Sequence, residues 1–226
     1  MYSRISFFRG IVTCIAFWYN QEVKEGANMQ TSWEELCSAV QGCTRCPLSS
    51  GRKHTVIGEG DPHSPLMLVG EGPGEQEDLT GRPFVGAAGQ LLDKMLAAIG
   101  LDRSRVYICN VVKCRPPHNR VPQPEEIEQC MNYLRQQFVL VRPKVILCLG
   151  STPSKALIDP QIRITRQRGQ WVLRRGVWFL PTYHPAALIY DSSKKRDSWE
   201  DLKKLRAKLN ELSLYPGREG ESGDAK

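Results

Sequence analysis

Four short apolar runs, separated by segments of helical periodicity, constrain the fold of this chain more than any other feature. The runs are Leu66–Val69, Val106–Val112, Val145–Leu149 and Val177–Leu180. The helical patterns are Ser32–Val40, Ala87–Ile99, Glu125–Val141 and Ser198–Leu212. Apolar strands that alternate with helices are typical of parallel β-α units, because each crossover helix covers one face of the sheet. The sequence therefore predicts an α/β domain built on a four-stranded parallel sheet.

The length of 226 residues allows one such domain with additional segments at its ends. We expect residues 1–30 to be an N-terminal extension that is disordered or not native, because Met29 directly precedes a capping-box pattern that begins at Ser32. The apolar run Gly10–Tyr19 is too short to span a bilayer, and no small-residue cleavage site follows it. We expect the folded domain to cover residues 31–213, and residues 214–226 to form a disordered tail.

Unusual residues follow three of the four predicted strands. They lie in the glycine-rich segment Gly70–Gly74, in Lys113–Pro116 and in Thr182–Pro185. Ligands of open parallel sheets bind beyond the carboxyl ends of the strands, so the sequence predicts an active site there. The glycine-rich segment is not a nucleotide loop, because it lacks the Lys-Ser/Thr ending of a P-loop and Pro73 interrupts the dinucleotide fingerprint.

The eight cysteines indicate metal or cluster ligands, because a disulfide scaffold is usually a smaller and denser chain. Cys43 and Cys46 form a Cys-x-x-Cys pair in a polar turn, which is typical of half a metal or cluster site in a reducing compartment, and we expect a cytoplasmic protein. Four thiolates can hold Zn²⁺ or an iron–sulfur cluster, and spacing alone does not choose between them. We interpret the remaining cysteines as small buried residues: Cys14, Cys37, Cys109 and Cys148.

Several separated motifs together identify a family. They are Gly70–Asp78, Gly81–Gly86, Asn110–Pro117 and His184–Leu188. In this order, and in register with four cysteines, they closely resemble the family 4 uracil-DNA glycosylases, the iron–sulfur branch of that superfamily. The resemblance implies a uracil-DNA glycosylase-like fold, a single three-layer α-β-α domain with a four-stranded parallel sheet, which agrees with the strand pattern. It also implies a [4Fe–4S] cluster rather than zinc, with the ligands Cys43, Cys46, Cys114 and Cys130.

The resemblance implies a hydrolase that flips uracil out of DNA, cuts its glycosidic bond and leaves an abasic site in base excision repair. Because no lysine is evidently placed as a Schiff-base nucleophile, we expect it to be monofunctional. Phe84 is then expected to stack on the flipped base, and the amide of Asn110 to read the adjacent O4 and N3–H of uracil. His184 is expected to donate a hydrogen bond to uracil O2, where negative charge grows as the bond breaks. Leu188 resembles the apolar wedge that fills the gap left by the base.

The glycine-rich loop departs from better-known uracil glycosylases. Those enzymes have a water-activating aspartate and a tyrosine that blocks the thymine methyl group, at positions that look like Gly72 and Gly74 here. The resemblance implies that the backbone of Glu71, Gly72 and Pro73 contacts the base. We expect Glu77 to be the first candidate for a role in the pocket, with Glu71 and Asp78 next. Alternatively, stabilisation of the leaving group lowers most of the barrier.

Other function classes stay open at this point. Relatives that trap uracil-DNA covalently carry a basic insertion that ends in histidine, but no histidine lies between Gly86 and Cys114. A non-catalytic cluster protein that binds nucleic acid is disfavoured, because Phe84, Asn110 and His184 are all present. A redox enzyme that uses the cluster for electron transfer is disfavoured too, because nothing indicates a second cofactor site.

The net charge of +7 permits a polyanionic partner, although many ordinary enzymes are as basic. We expect the partner to be uracil-containing DNA, single- or double-stranded, and the protein to be a monomer that does not bind membranes. Lys113 and Arg115 are candidates either for phosphate contacts or for support of the cluster, and the sequence does not separate these two roles.

Overall fold

The computed structural model describes residues 32–215, so the predicted N-terminal extension, Cys14 and the segment from Pro216 onwards lie outside the described residues. Within this range the strands are β1 (Glu59–Gly60), β2 (Leu66–Gly70), β3 (Tyr107–Asn110), β4 (Val145–Leu149), β5 (Val172–Arg174) and β6 (Val177–Thr182). They form one sheet in the order β1-β3-β2-β4-β6-β5. The four central strands are parallel, as predicted, and β1 and β5 pair antiparallel at the two edges.

The α-helices of the described range are α1 (Trp33–Gln41), α2 (Glu75–Thr80), α3 (Ala87–Ala97), α4 (Pro124–Val141), α5 (Ser151–Leu157), α6 (Ile164–Gln167), α7 (Pro185–Tyr190) and α8 (Lys194–Glu211). Periodicity predicted α1, α3, α4 and α8, although α8 begins at Lys194 rather than at Ser198. The other helices are too short to give a periodic signal. None of the helices between residues 32 and 215 is long and apolar enough to cross a membrane.

Alternating side chains of the central strands separate two hydrophobic layers. Leu66 and Leu68 of β2 pack in the layer that contains α3, α7 and α8, whereas Met67 and Val69 pack in the layer that contains α1, α4 and α5. This alternation confirms the predicted three-layer α/β architecture. Cys109 and Cys148 lie fully buried in β3 and β4, as expected of small core residues.

The ordered domain extends beyond the predicted boundary at residue 213. Tyr215 is buried, and its hydroxyl donates a hydrogen bond of 2.7 Å to the carbonyl of Arg105 and lies 3.1 Å from Oγ of Ser64. The prediction missed this contact because a tyrosine beside a Gly- and Glu-rich tail gives no sign of its partner in the fold.

Candidate active site and cysteine site

Asn110 presents a buried acceptor at the carboxyl end of the sheet. It is the last residue of β3 and pairs with Gly70 of β2. Its side-chain Oδ1 is buried and accepts no hydrogen bond from any residue between 32 and 215. Gly70 leaves room for it, because a Cβ there would lie 2.3 Å from Oδ1 and 2.6 Å from Cζ of Phe84. An unsatisfied buried acceptor costs about 1–3 kcal/mol, so this site suits a donor supplied by a ligand.

Phe84 is fixed beside Asn110 in a left-handed backbone conformation. Its φ of +53° is uncommon for a residue with a side chain. The guanidinium of Arg103 donates to the carbonyl of Pro83 at 2.9 Å and also to the carbonyl of Phe84. Gly89 of α3 permits the close approach, since a Cβ there would overlap the Phe84 carbonyl. The backbone that carries the Phe84 ring is therefore held in place by Arg103 and packed against α3.

His184 precedes α7 as its N-cap residue, and this position fixes its tautomer. The backbone N–H of Ala186 donates to Nδ1 at 3.2 Å, so a neutral ring carries its proton on Nε2. The ring stacks on Phe84 with centroids 5.6 Å apart. Burial lowers the pKa of His184 from the usual 6.5 to about 4, and the nearby carboxylate of Glu77 opposes this change. At neutral pH His184 is therefore an uncharged hydrogen-bond donor.

The carboxylate of Glu77 braces two loops. Its Oε1 accepts from the backbone N–H groups of Val85 at 2.8 Å and Gly86 at 2.9 Å, and its Oε2 accepts from Gly74 at 3.1 Å. Both oxygens are thus engaged in holding the loop of Phe84 against the glycine-rich loop. This geometry favours a positioning role for Glu77 over a catalytic one.

Glu71 has a freer carboxylate than Glu77. It lies half-buried at the start of the glycine-rich loop, and its Oε2 accepts from the hydroxyl of Thr152 on α5. Its backbone carbonyl accepts from the N–H of Val112 at 3.1 Å, which ties the loop to the residues after β3. Pro73 is buried in the same loop. Of these two carboxylates, Glu71 is the better placed to hold a polar ligand.

The structure gives a physical reason for the two glycines of the loop. A Cβ at Gly72 would lie 2.7 Å from Cγ2 of Val112, which is fully buried and has no room to move aside. A Cβ at Gly74 would lie 2.7 Å from Oε2 of Glu77, which holds the Gly74 N–H. Neither an aspartate nor a tyrosine therefore fits at these positions without a local rearrangement.

Leu188, which the resemblance predicts to be the wedge, is a buried residue of α7. It is only 2% exposed and packs in the layer of α3 and α8. The apolar side chains of α7 that reach solvent are those of the next two residues, Ile189 and Tyr190, and Tyr190 is 91% exposed. A six-residue helix gives no periodicity from which to read its buried face, so the sequence did not indicate that Leu188 is buried; its role as the wedge stays a prediction.

The four predicted cysteine ligands line one small cavity below the end of β3. Cys43 and Cys46 come from the turn after α1, Cys114 follows β3, and Cys130 lies on α4. Between residues 32 and 215, no three His, Cys, Asp or Glu side chains come together as the shell of a single metal ion. The cavity brings together thiols from three separate segments of the chain.

Cationic groups and N–H donors face these sulfurs. The guanidinium of Arg52 donates to Sγ of Cys114 at 3.3 Å, and the backbone N–H of Lys113 donates to Sγ of Cys130 at 3.2 Å. Burial raises the pKa of the Cys130 thiol to about 11, and the charge and N–H of Lys113 oppose that rise. The surroundings thus suit sulfur ligands that carry negative charge.

Sequence comparisons agree with the geometry. The profile of the uracil DNA glycosylase superfamily matches residues 57–203. The chain belongs to this superfamily. A type-4 uracil-DNA glycosylase of Thermotoga maritima is 44% identical over 180 residues, which cover 77% of this chain and 93% of that protein. A type-4 enzyme of Archaeoglobus fulgidus is 43% identical over 182 residues, 77% of this chain and 92% of that protein. A type-5 uracil-DNA glycosylase of Pyrobaculum aerophilum is 31% identical over 195 residues, 72% of this chain and 86% of that protein.

These relatives confirm the resemblance that the motifs indicated, and they confirm the assignment of the chain to a hydrolase family. Within this uracil-DNA glycosylase the structure also separates the two candidate roles of Lys113 and Arg115. Lys113 is 1% exposed and its backbone N–H donates to Sγ of Cys130 at 3.2 Å, so it lies beside the cysteine site and away from the surface where phosphates would bind. Arg115 remains at the surface, where it donates to Asn119 at 2.8 Å and lies 3.7 Å from Glu75.

Sequence reasoning missed three residues that support the two sites of this glycosylase: Arg103, Thr152 and Gln137. Gln137 had a detectable signal, because it is a polar residue on the buried face of α4, seven residues after Cys130. Arg103 and Thr152 had none, since their partners Phe84 and Glu71 come close only in the folded chain.

Proposed function

We propose that this uracil-DNA glycosylase takes a flipped uracil into the pocket of Asn110, Phe84 and His184, hydrolyses its N-glycosidic bond and leaves an abasic site for base excision repair. One observation carries the proposal. The buried Oδ1 of Asn110 has no partner among the described residues, and it lies beside the ring of Phe84, on which the neutral imidazole of His184 stacks.

Asn110 supplies the base discrimination. Its amide oxygen accepts the N3–H of uracil while its NH₂ group donates to O4. Cytosine presents an acceptor and a donor in the reverse order at these atoms, so it would leave both partners unsatisfied. The ring of Phe84, held by Arg103, offers a flat apolar face to the same base.

His184 stabilises the departing base. As the glycosidic bond breaks, negative charge develops on uracil O2, and a preorganised donor lowers the free energy of that transition state by about 3–4 kcal/mol. Because the ring is uncharged at neutral pH, its Nε2–H acts as a donor without transferring its proton. Its contribution is therefore electrostatic.

Glu71 is the residue we assign to the attacking water. Its Oε2 is held by Thr152, and its other oxygen accepts no hydrogen bond from the described residues. Glu77, by contrast, uses both oxygens on backbone N–H groups and positions the loops. Glu71 thus orients the water that adds to the sugar, and the backbone of Gly72 and Pro73 lies beside the base.

We propose that Cys43, Cys46, Cys114 and Cys130 hold a [4Fe–4S] cluster. One feature supports it over zinc: the chain is similar to type-4 uracil-DNA glycosylases, the family whose motifs implied an iron–sulfur cluster. When bound, the cluster supplies bonds that tie the turn after α1 to the end of β3 and to α4. The chemistry of excision is left to the residues of the pocket.

We propose Tyr190 as the side chain that enters the DNA at the gap left by uracil, in place of the buried Leu188. It ends the helix that His184 begins, about 9 Å further along the axis at 1.5 Å per residue. After Asp191, Ser192 and Ser193 come three basic residues that suit the phosphates on either side: Lys194, which lies 2.9 Å from Asp191, Lys195 and Arg196. The protein is expected to act as a cytoplasmic monomer on single- or double-stranded DNA.

The decisive experiment uses a 5′-labelled oligonucleotide with a single uracil. The purified protein is incubated with it, alkali then cleaves any abasic site, and matched oligonucleotides with thymine or cytosine at the same position serve as controls. We expect cleavage only at uracil. A band that resists denaturation without strand cleavage would instead identify a covalently trapping relative, and intact uracil oligonucleotide would contradict the proposal.

A further inference from the structure

Among residues 32–215, no carboxylate pairs with the ammonium group of the buried Lys113. It is the largest of the fully buried side chains of the described residues. Its Nζ donates to two neutral oxygens, the backbone carbonyl of Asn110 at 2.6 Å and Oε1 of Gln137 at 2.5 Å. Burying an ammonium group is unfavourable unless hydrogen bonds or a counter-charge compensate for its lost hydration. Burial raises the pKa of the thiols of Cys109 and Cys130, and the charge of Lys113 opposes that rise. Its position beside both sites indicates a specific role.

The two acceptors of Lys113 connect separate parts of the molecule. Asn110 ends β3 and is the residue proposed to read uracil. Gln137 lies on α4, the helix that carries Cys130, and its own amide donates to the carbonyl of Ile57 and to the hydroxyl of Tyr107, each at 2.8 Å. The position of Nζ is therefore set by α4 and not by solvent.

The main chain of Lys113 is anchored as firmly as its side chain. Its N–H donates to Sγ of Cys130 at 3.2 Å, its carbonyl accepts from the N–H of Val56 at 2.8 Å, and the next residue is Cys114. The side chain then turns back along the chain to the carbonyl of Asn110. The cysteine site thus fixes the main chain of Lys113, and the ammonium group of Lys113 holds the backbone of Asn110.

We propose that Lys113 is a positioning residue for Asn110. By clamping the Asn110 carbonyl, it fixes the backbone at the end of β3 and keeps the side-chain amide in register with the pyrimidine edge. This inference rests on the proposed function, because it assigns Asn110 to uracil recognition. The four-cysteine site would then contribute to uracil recognition as well as to stability, because it anchors Lys113.

A double-mutant cycle tests the proposal. Lys113→Met keeps the length of the side chain and removes its donors, and it is combined with Asn110→Ala. Single-turnover excision of uracil is measured for the wild type, both single variants and the double variant, with iron per chain and Tm as readouts independent of activity. We expect Lys113→Met to slow excision by about 10–100-fold in the wild-type background while iron per chain is retained. In the Asn110→Ala background it should slow excision by less than about 2-fold.

A merely structural lysine would slow excision by the same factor in both backgrounds, and that result would overturn the inference. Should Lys113→Met lose iron or fail to fold, Gln137→Leu replaces it in the same cycle, because it removes the acceptor that holds Nζ in place without touching a cysteine neighbour. A wild type that excises no uracil would overturn the proposed function instead, so the two failures are distinguishable.

Discussion

The residues around the end of β3 form two polar sites that differ in how their polar groups are satisfied. In the base pocket Asn110 keeps an acceptor that no described residue satisfies, and His184 is kept uncharged by burial. In the cysteine site the sulfurs of Cys114 and Cys130 already accept hydrogen bonds from Arg52 and Lys113. Hydrogen-bonding groups without a partner indicate a ligand that binds transiently, such as a substrate. Positively charged donors that are already in place indicate an anionic group that stays bound.

The largest expected effect follows from loss of the [4Fe–4S] cluster that we propose for the cysteine site. Cys130→Ala should abolish iron binding and with it most of the stability, because the ligand bonds tie α4 to the turn after α1. Cys37→Ser is the matched control: Cys37 is a half-buried cysteine of α1 outside the site, and its change should alter the free energy of unfolding by only about 0.5 kcal/mol. Metal analysis and thermal unfolding of anaerobically purified protein decide the outcome. Stoichiometric zinc without iron would refute the cluster.

The next largest effect concerns recognition of uracil by Asn110. Asn110→Asp should slow uracil excision by at least about 100-fold, because a carboxylate accepts but cannot donate to O4. Cytosine offers a donor at that position, so slow excision of cytosine should appear. Both rates are measured under single-turnover conditions, with iron per chain confirming that the cysteine site is intact. An unchanged rate on uracil would remove Asn110 from base recognition.

Substitutions of the two carboxylates, Glu77 and Glu71, should affect different properties: the first should lower stability and the second should slow excision. Glu77→Gln replaces an acceptor of backbone N–H groups with an NH₂ group, so it should lower the free energy of unfolding by about 1–3 kcal/mol. Glu71→Gln keeps an acceptor for Thr152, so it should leave stability nearly unchanged and slow excision by about 10²-fold. Denaturant unfolding and single-turnover rates measured on both variants give the comparison. If Glu77→Gln slowed excision without loss of stability while Glu71→Gln lowered stability, Glu77 would be the residue that orients the water and Glu71 the one that positions the loops.

The central sheet and the pocket motifs were predictable from the sequence, for a physical reason. Buried parallel strands are continuous apolar runs; Asn110 lies within the run Val106–Val112, and His184 follows the run Val177–Leu180 after three further residues. Lys113 was not predictable, because a lysine is almost always exposed and the sequence does not show that its Nζ meets two buried oxygens. The edge strands β1 and β5 were missed because they span only two and three residues.

The smallest expected effect concerns the contact with DNA. Tyr190→Ala should lower excision from a duplex by about 10-fold, the value of one stacking contact, and should leave excision from single-stranded DNA nearly unchanged. Leu188→Ala should instead lower Tm, because it removes a buried side chain from the layer of α3 and α8. Selective loss of duplex activity in the Leu188 variant, with Tyr190→Ala unaffected, would restore Leu188 as the wedge.

The central claim is that the pocket stabilises uracil as it departs, and His184→Ala tests it most directly. A donor whose hydrogen bond strengthens only as charge develops affects the chemical step more than binding. Single-turnover excision should therefore slow by about 10²–10³-fold, the usual loss for one such donor. Affinity for uracil-containing DNA should stay within about 2-fold, because Phe84 and Asn110 remain in place. Because the pKa of His184 is about 4, the wild-type rate should show no titration of this group between about pH 5 and 8. A His184→Ala variant that keeps the full single-turnover rate while its affinity for uracil-containing DNA collapses would contradict the account.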